Sequence, residues 1–312
     1  MIKTVVIFVV LLLVAGILAV YLFPGTAYRL AMRGERAVAG LDTRLISIDG
    51  IDYSYTDGKR GAPLVLLHGF SAEKDHWNRV ARHLKSRFRI IAPDLPGFGA
   101  STRDPALNYS IESQVRRLEA FVDRLALEQF HLGGSSMGGA IAAVYAARNP
   151  DRVVSLWLMA PAGVISGQRS EMEKILSSGE VHPLVPGNRQ QFEYTLGFVF
   201  VNQPFLPAPV RRYLSKEATE RQALRLQIFD DLLDDTGTGV RFPLNELVVD
   251  LAVPTLVVWG ADDRVLHPAG AEKLRELLTN ETVEIMPNMG HLPMLEAPGT
   301  TAERFLRFHG GL

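Results

Sequence analysis

The chain has 312 residues, of which 47% are apolar and 21% charged. That is ordinary globular usage, and it excludes a disordered chain, a collagen-like repeat and a long coiled coil. Thirty-three Lys plus Arg stand against 34 Asp plus Glu, so there is no electrostatic footprint for nucleic acid. The lack of cysteine rules out disulfides, thiolate metal sites and a cysteine nucleophile.

Charge is missing from Thr4 to Tyr28. The stretch Thr4 to Phe23, TVVIFVVLLLVAGILAVYLF, is as a helix about 30 Å long and matches a bilayer's hydrocarbon core. Pro24-Gly25 then breaks it, and Tyr21, Phe23 and Tyr28 suit the interface. A cleaved signal peptide has a shorter apolar core, and Gly25-Thr26-Ala27 is a poor cleavage site. An uncleaved N-terminal transmembrane anchor over residues 1–28 is therefore expected. Lys3 precedes the span, and Arg29, Arg33 and Arg36 follow it. That count slightly favours a cytoplasmic C-terminal part, whereas a short Lys-bearing tail suits an export-type anchor, so the membrane side stays open. Ala15 and Ala19 form a small-x-x-x-small pair, common in any span, that would allow a homodimer contact.

Beyond the span, strand and helix patterns alternate. Strands are expected at Arg44–Ile48, Ile51–Tyr55, Pro63–Leu67, Phe88–Ala92, Phe130–Gly133, Val153–Met159, Thr255–Trp259 and Thr282–Met286. Helices are expected over Asp75–Lys85, Ile111–Leu125, Ser136–Ala147, Ala269–Leu278 and Thr301–Phe308. Asp49-Gly50 signals a type I′ hairpin between the first two strands. The later strands are continuous apolar runs separated by helices, which implies an α/β fold with a mostly parallel central sheet covered on both faces.

One segment breaks the alternation. Between Met159 and Thr255 no strand is evident, and helical patterns run through Gln168–Ser177, Arg189–Phe200, Pro207–Leu214 and Ser215–Leu233. A helical cap over 163–247 is expected, splitting the core into 29–162 and 248–312. Phe192, Tyr194, Leu196, Phe198, Phe200, Phe205 and Leu206 can form the cap's own small core, and some of them can also line a tunnel for an acyl chain, since a lid must be apolar beneath to cover an apolar site.

The chemistry begins at Phe130-His131-Leu132-Gly133-Gly134-Ser135-Ser136-Met137-Gly138-Gly139. An apolar strand enters Gly-x-Ser-x-Gly and an Ala-rich helix follows, the pattern of a nucleophile elbow. Ser136 has glycine two before and two after; Ser135 has Met137 at the second place. A serine hydroxyl needs a base to take its proton, and the base needs an orienting group. The elbow's chain order is serine, acid, histidine. His68, His76, His83 and His131 precede Ser136, His182 precedes any acid at a strand end, and His267 sits beside the candidate acid. His309 lies near the terminus. His291, in Met289-Gly290-His291-Leu292-Pro293, remains. Asp262 and Asp263 are both acid candidates; Gly260-x-x-Asp263 has the spacing usual for the acid loop, which favours Asp263. The oxyanion hole would take one N–H from Met137 and one from the loop His68-Gly69-Phe70-Ser71, assigned to Phe70. His68 reads as a brace for that loop, and Asp94 as a group orienting its own.

These motifs, with Lys74-Asp75-x-Trp77 and Trp259-Gly260-x-x-Asp263-x-Val265-Leu266, resemble the membrane-anchored monoacylglycerol lipase branch of the α/β-hydrolase superfamily, with bacterial lipases and phospholipases close by. The resemblance covers the whole chain. It implies an α/β-hydrolase fold with a helical lid and hydrolysis of glycerolipid esters through an acyl-serine, with membrane lipids as environment and substrate. No cofactor or metal is expected, since His-Glu-x-x-His, Walker and Gly-x-Gly-x-x-Gly motifs are missing. C–C hydrolases of the meta-cleavage type share the elbow, the triad order and a similar cap; they are soluble, so the span argues against them. A non-lipid esterase, or a non-catalytic binder on the same scaffold, would also carry these motifs.

Overall fold

A computed structural model describes residues 2–233 and 243–312. Eight strands form one sheet in the order β1-β2-β4-β3-β5-β6-β7-β8. They are β1 Asp42–Ile48, β2 Ile51–Asp57, β3 Ala62–Leu67, β4 Phe88–Pro93, β5 Phe130–Ser135, β6 Val153–Met159, β7 Thr255–Gly260 and β8 Glu281–Met286. Each expected strand is present, displaced by no more than two residues at either end. β1 and β2 pair antiparallel, β2 meets β4 antiparallel, and β3 to β8 run parallel. Asp49 and Gly50 both have positive φ, 51° and 78°, as a type I′ turn demands.

The strand period of two divides the core into two layers. Val65, Leu67, Leu132 and Val257 face a layer built with α4 Ile111–Arg124, α5 Met137–Arg148 and α11 Ala269–Leu277. Leu64, Leu66, Trp157 and Val258 face the other, with α3 Asn78–Leu84 and α13 Pro298–Gly310. Burial on both faces is why the parallel strands read as unbroken apolar runs.

The cap lies between β6 and β7. It contains α6 Glu171–Ser178, α7 Arg189–Val199, α8 Ala208–Glu220, α9 Gln222–Leu232 and α10 Leu244–Leu247; its stretch 234–242 lies outside the described residues. The break expected at 214/215 falls instead at Arg221 (φ −101°, ψ 7°). Ser215 is buried inside α8, where a lone serine costs too little helix propensity to stop it.

The N-terminal region differs most from expectation. α1 Ile2–Leu22 is long and apolar enough to cross a membrane, with none of its most apolar window buried against the rest of the chain. Pro24 does end it, but as the first residue of another helix, α2 Pro24–Ala39, a position that suits proline. The boundary expected at 28/29 therefore falls inside α2, which stops at Gly40 in the left-handed region. The inner face of α2 is tied to the body by Tyr28 donating to Glu73 (2.8 Å), Arg36 to Asp75 (2.6 Å) and Arg79 to Glu35 (3.0 Å). A last short helix, α12 Pro293–Glu296, precedes α13.

Phe305 on α13 is fully buried and stacks on Trp157 with ring centroids 4.4 Å apart. Phe305→Ala is expected to cost about 3–5 kcal/mol. A denaturant titration of the detergent-purified chain, read at the tryptophans, checks this.

Candidate active site

The parallel strands place their C-terminal ends along one edge of the sheet. Ser136 follows β5 there, Asp263 lies in the loop after β7, and His291 lies in the loop after β8. The short connection from β5 straight into α5 forces Ser136 to φ 54°, ψ −119°, a region that costs a non-glycine residue about 1–3 kcal/mol. The turn closes tightly because a Cβ on Gly134 would strike the Gly138 backbone, and one on Gly138 the carbonyls of Leu67 and His68. Ser136 N–H donates to Met159 O (2.9 Å), and Ser136 O accepts from Ala162 N–H (3.0 Å). The side chain of Ser136 makes no hydrogen bond among the described residues, to a candidate base or otherwise. Such contacts are often long before substrate binds.

Asp263 and His291 are brought together. His291 Nδ1 meets Asp263 Oδ2 at 2.7 Å, with both residues buried. The other carboxylate oxygen accepts the N–H groups of Val265 (2.8 Å) and Leu266 (3.0 Å). Three contacts thus fix this carboxylate in place, and the Nδ1 contact leaves Nε2 without a partner among the described residues. The neighbouring Asp262 is exposed, which separates the two candidates by environment.

Phe70 follows Gly69 in the loop after β3, and Met137 begins α5. Neither backbone N–H finds an acceptor among the described residues, as donors reserved for a developing negative charge should be. Gly69 brings its loop against the elbow: a Cβ there would lie 3.2 Å from the Ser136 Cβ. The Phe70 ring packs edge-on against Phe98 (5.9 Å) and against Phe229 of α9 (5.4 Å), so the cap reaches this loop. His68 is fully buried, with Nδ1 2.8 Å from Gly69 O and Nε2 accepting from Leu95 N–H at 2.9 Å; both ring nitrogens are spent on backbone, as befits a brace. Asp94 accepts from Lys74 N–H, Lys74 Nζ and Ala100 N–H, and orients its loop.

The cap's aromatic residues divide. Phe192 and Phe198 are buried and Tyr194 and Phe205 exposed. Phe198 and Val199 cluster with Met172 and with Val265 of the acid loop, so part of the cap core belongs to the site. Arg264 joins the same junction: it pairs bidentately with Glu171 and lies over the Phe198 ring. Neither Arg264–Glu171 nor Glu296, which bonds the His291 loop, stands out locally, because their partners are remote in sequence.

Residues 62–298 match the family model described as alpha/beta hydrolase fold. The chain belongs to this family. Among its relatives, Lipase 3 of Moraxella sp. (strain TA144) is 32% identical over 283 residues, covering 89% of this chain and 88% of that one. Monoacylglycerol lipase abhd6-B of Xenopus laevis is 32% identical over 313 residues, covering 96% and 91%. The solved structure of a membrane phospholipase A, described as a bacterial virulence factor, superposes with a TM-score of 0.89 at 39% identity, covering 99% of this chain and 98% of that one. Its match over nearly the whole chain takes in α1 and α2 as well as the hydrolase core.

Burial alone does not separate His291 from the other histidines of this hydrolase, since His68 and His131 are buried as well. His131 is buried between Phe88 and His309, with Nδ1 2.7 Å from the Ser155 hydroxyl. Desolvation first, and His309 second, push its pKa down to about 4. Between that value and the unfolded value of about 6.5, the unfolded chain binds a proton that the native state refuses. Stability is therefore expected to fall as pH drops through about 6.5, and to go on falling to about 4. His131→Asn should flatten this slope in denaturation midpoints measured across that range.

Proposed function

We propose that this alpha/beta hydrolase is a membrane-anchored serine carboxylic-ester hydrolase acting on glycerolipid esters. The observation that carries the reading is the buried Asp263–His291 pair on the sheet edge that also bears the strained Ser136 turn. In this reading His291 Nε2 takes the Ser136 proton as Oγ attacks the ester carbonyl, and Asp263 stabilises the imidazolium. The N–H groups of Phe70 and Met137 bind the tetrahedral oxyanion. His291 then protonates the leaving glycerol oxygen, and water repeats the sequence to free the fatty acid from Ser136.

The relatives are lipases by name and the structural neighbour is a phospholipase A, which supports lipid rather than small soluble esters. The cap, taken as 163–247, would select among monoacylglycerol, lysophospholipid and diacyl phospholipid. α1 serves as the single-pass anchor, in a bacterial inner membrane.

Ser136→Ala is expected to abolish both ester turnover and fluorophosphonate labelling. Asp263→Asn should lower kcat by about 10⁴, whereas Asp262→Asn should leave it within about threefold, since that carboxylate is exposed and exposed charges contribute little. Full-length protein in detergent, given the three lipid classes and a vinylogous diketone, should cleave lipid esters; turnover of the diketone alone would make it a C–C hydrolase instead.

Ala15 and Ala19 are exposed on α1, and we place a homodimer contact at them. Cross-linking in detergent should capture a dimer that Ala15→Leu/Ala19→Leu disperses; a double variant that stays dimeric removes the contact from this face.

A further inference from the structure

The loop that carries His291 has little regular structure of its own. Asn288 is held in the left-handed region at φ 53°, and α12 begins only after Leu292. What ties this loop down is a carboxylate five residues beyond the histidine. Glu296 Oε1 accepts the N–H of Gly290, the residue before His291, at 2.9 Å. Its Oε2 accepts the N–H groups of Val201 (3.1 Å) and Asn202 (2.7 Å), which follow cap helix α7. The two segments also bond each other directly. His291 N–H donates to Val199 O at 2.9 Å, and Asn202 Nδ2 to Asn288 O at 2.8 Å. Gly290 is sandwiched at the centre: a Cβ there would lie 2.7 Å from Val199 O and 2.9 Å from Glu296 Oε1.

Chemistry explains why the group is a carboxylate. Three backbone N–H donors converge on it from two chain segments, and both oxygens must accept. A glutamine of the same shape would aim an NH2 at one of the two segments, N–H against N–H.

We propose that Glu296 is a positioning residue that clasps the His291 loop to the end of α7, so that the histidine is in place only while the cap is docked. This rests on the reading of His291 as the base. Misplacing a catalytic group by about 1 Å costs on the order of 10²-fold, and the clasp acts at the backbone of the residue adjoining the imidazole. Glu296 itself need touch no substrate.

Glu296→Gln in the full-length, detergent-purified chain tests this, with concentrations of intact sites set by fluorophosphonate titration at saturation. On p-nitrophenyl butyrate, a small ester, kcat per labelled site should fall by tenfold or more while KM stays within about threefold. The rate of labelling should fall in parallel. Amide exchange should accelerate together at residues 200–202 and 289–291. A purely structural role would lower the melting temperature and leave kcat per site unchanged; that result, or faster exchange in only one of the two segments, overturns the proposal. If the native chain neither labels nor hydrolyses any ester, the functional reading fails, and the paired exchange signature still decides whether the clasp exists.

Discussion

At Ser136 the chain must pass from a strand to a helix within one residue, and the backbone conformation this needs, φ 54° and ψ −119°, is one that few side chains adopt willingly. The strain persists because the surroundings fix the turn from every side. Two backbone hydrogen bonds hold it, one to Met159 at the end of β6 and one from Ala162 in the segment that follows. The glycines at 134 and 138 let strand, helix and the Leu67–His68 backbone approach closer than a methyl would permit. From Met137 to Ala146 the helix that follows is buried, and its alanines let it lie close against the sheet. A functional turn of order 1–3 kcal/mol in strain is thus carried by a core large enough to absorb it.

Asp263 and His291 enjoy no such support from the sheet. Each sits past the end of a strand, where ladder hydrogen bonding has stopped, and must find other partners. Asp263 finds two N–H groups within its own loop, so its position is locally determined. His291 does not; its backbone is held by α7 and by Glu296. The apolar cluster of Met172, Phe198, Val199 and Val265 fills the same junction. An element that reads in sequence as an insertion over the site therefore completes the geometry beneath it.

These differences of range explain what the sequence reveals and what it withholds. The elbow is legible because its requirements, glycines at fixed offsets between an apolar strand and an Ala-rich helix, lie within ten residues. The eight strands are legible because burial on both faces leaves continuous apolar runs. Loop spacing favours Asp263 over Asp262 and chain order favours His291, and the fold brings these two side chains to 2.7 Å. Glu296 escapes, since its partners Val201 and Asn202 lie 95 and 94 residues away and nothing near it marks a convergence of N–H groups. The helix after the span escapes for a different reason. Proline ends one helix and starts another with equal ease, so Pro24 alone cannot say whether helix follows.

That second helix alters how the apolar span relates to the enzyme. A flexible tether would leave the catalytic body free to tumble. Here only Phe23 separates α1 from α2, and backbone hydrogen bonds from Phe23 to Ala19 and from Ala27 to Phe23 continue across the junction. α2 is then bonded to Glu73 and Asp75, in the segment that leads from the oxyanion loop into α3. Its first turn also meets the cap, where the Tyr213 ring of α8 packs on Tyr28 at 6.2 Å and fills the space beside Gly25. The span is therefore joined by rigid contacts both to the loop below Ser136 and to the cap above it. Orientation of the Ser136 edge of the sheet relative to α1 is therefore set by packing and not by a flexible linker.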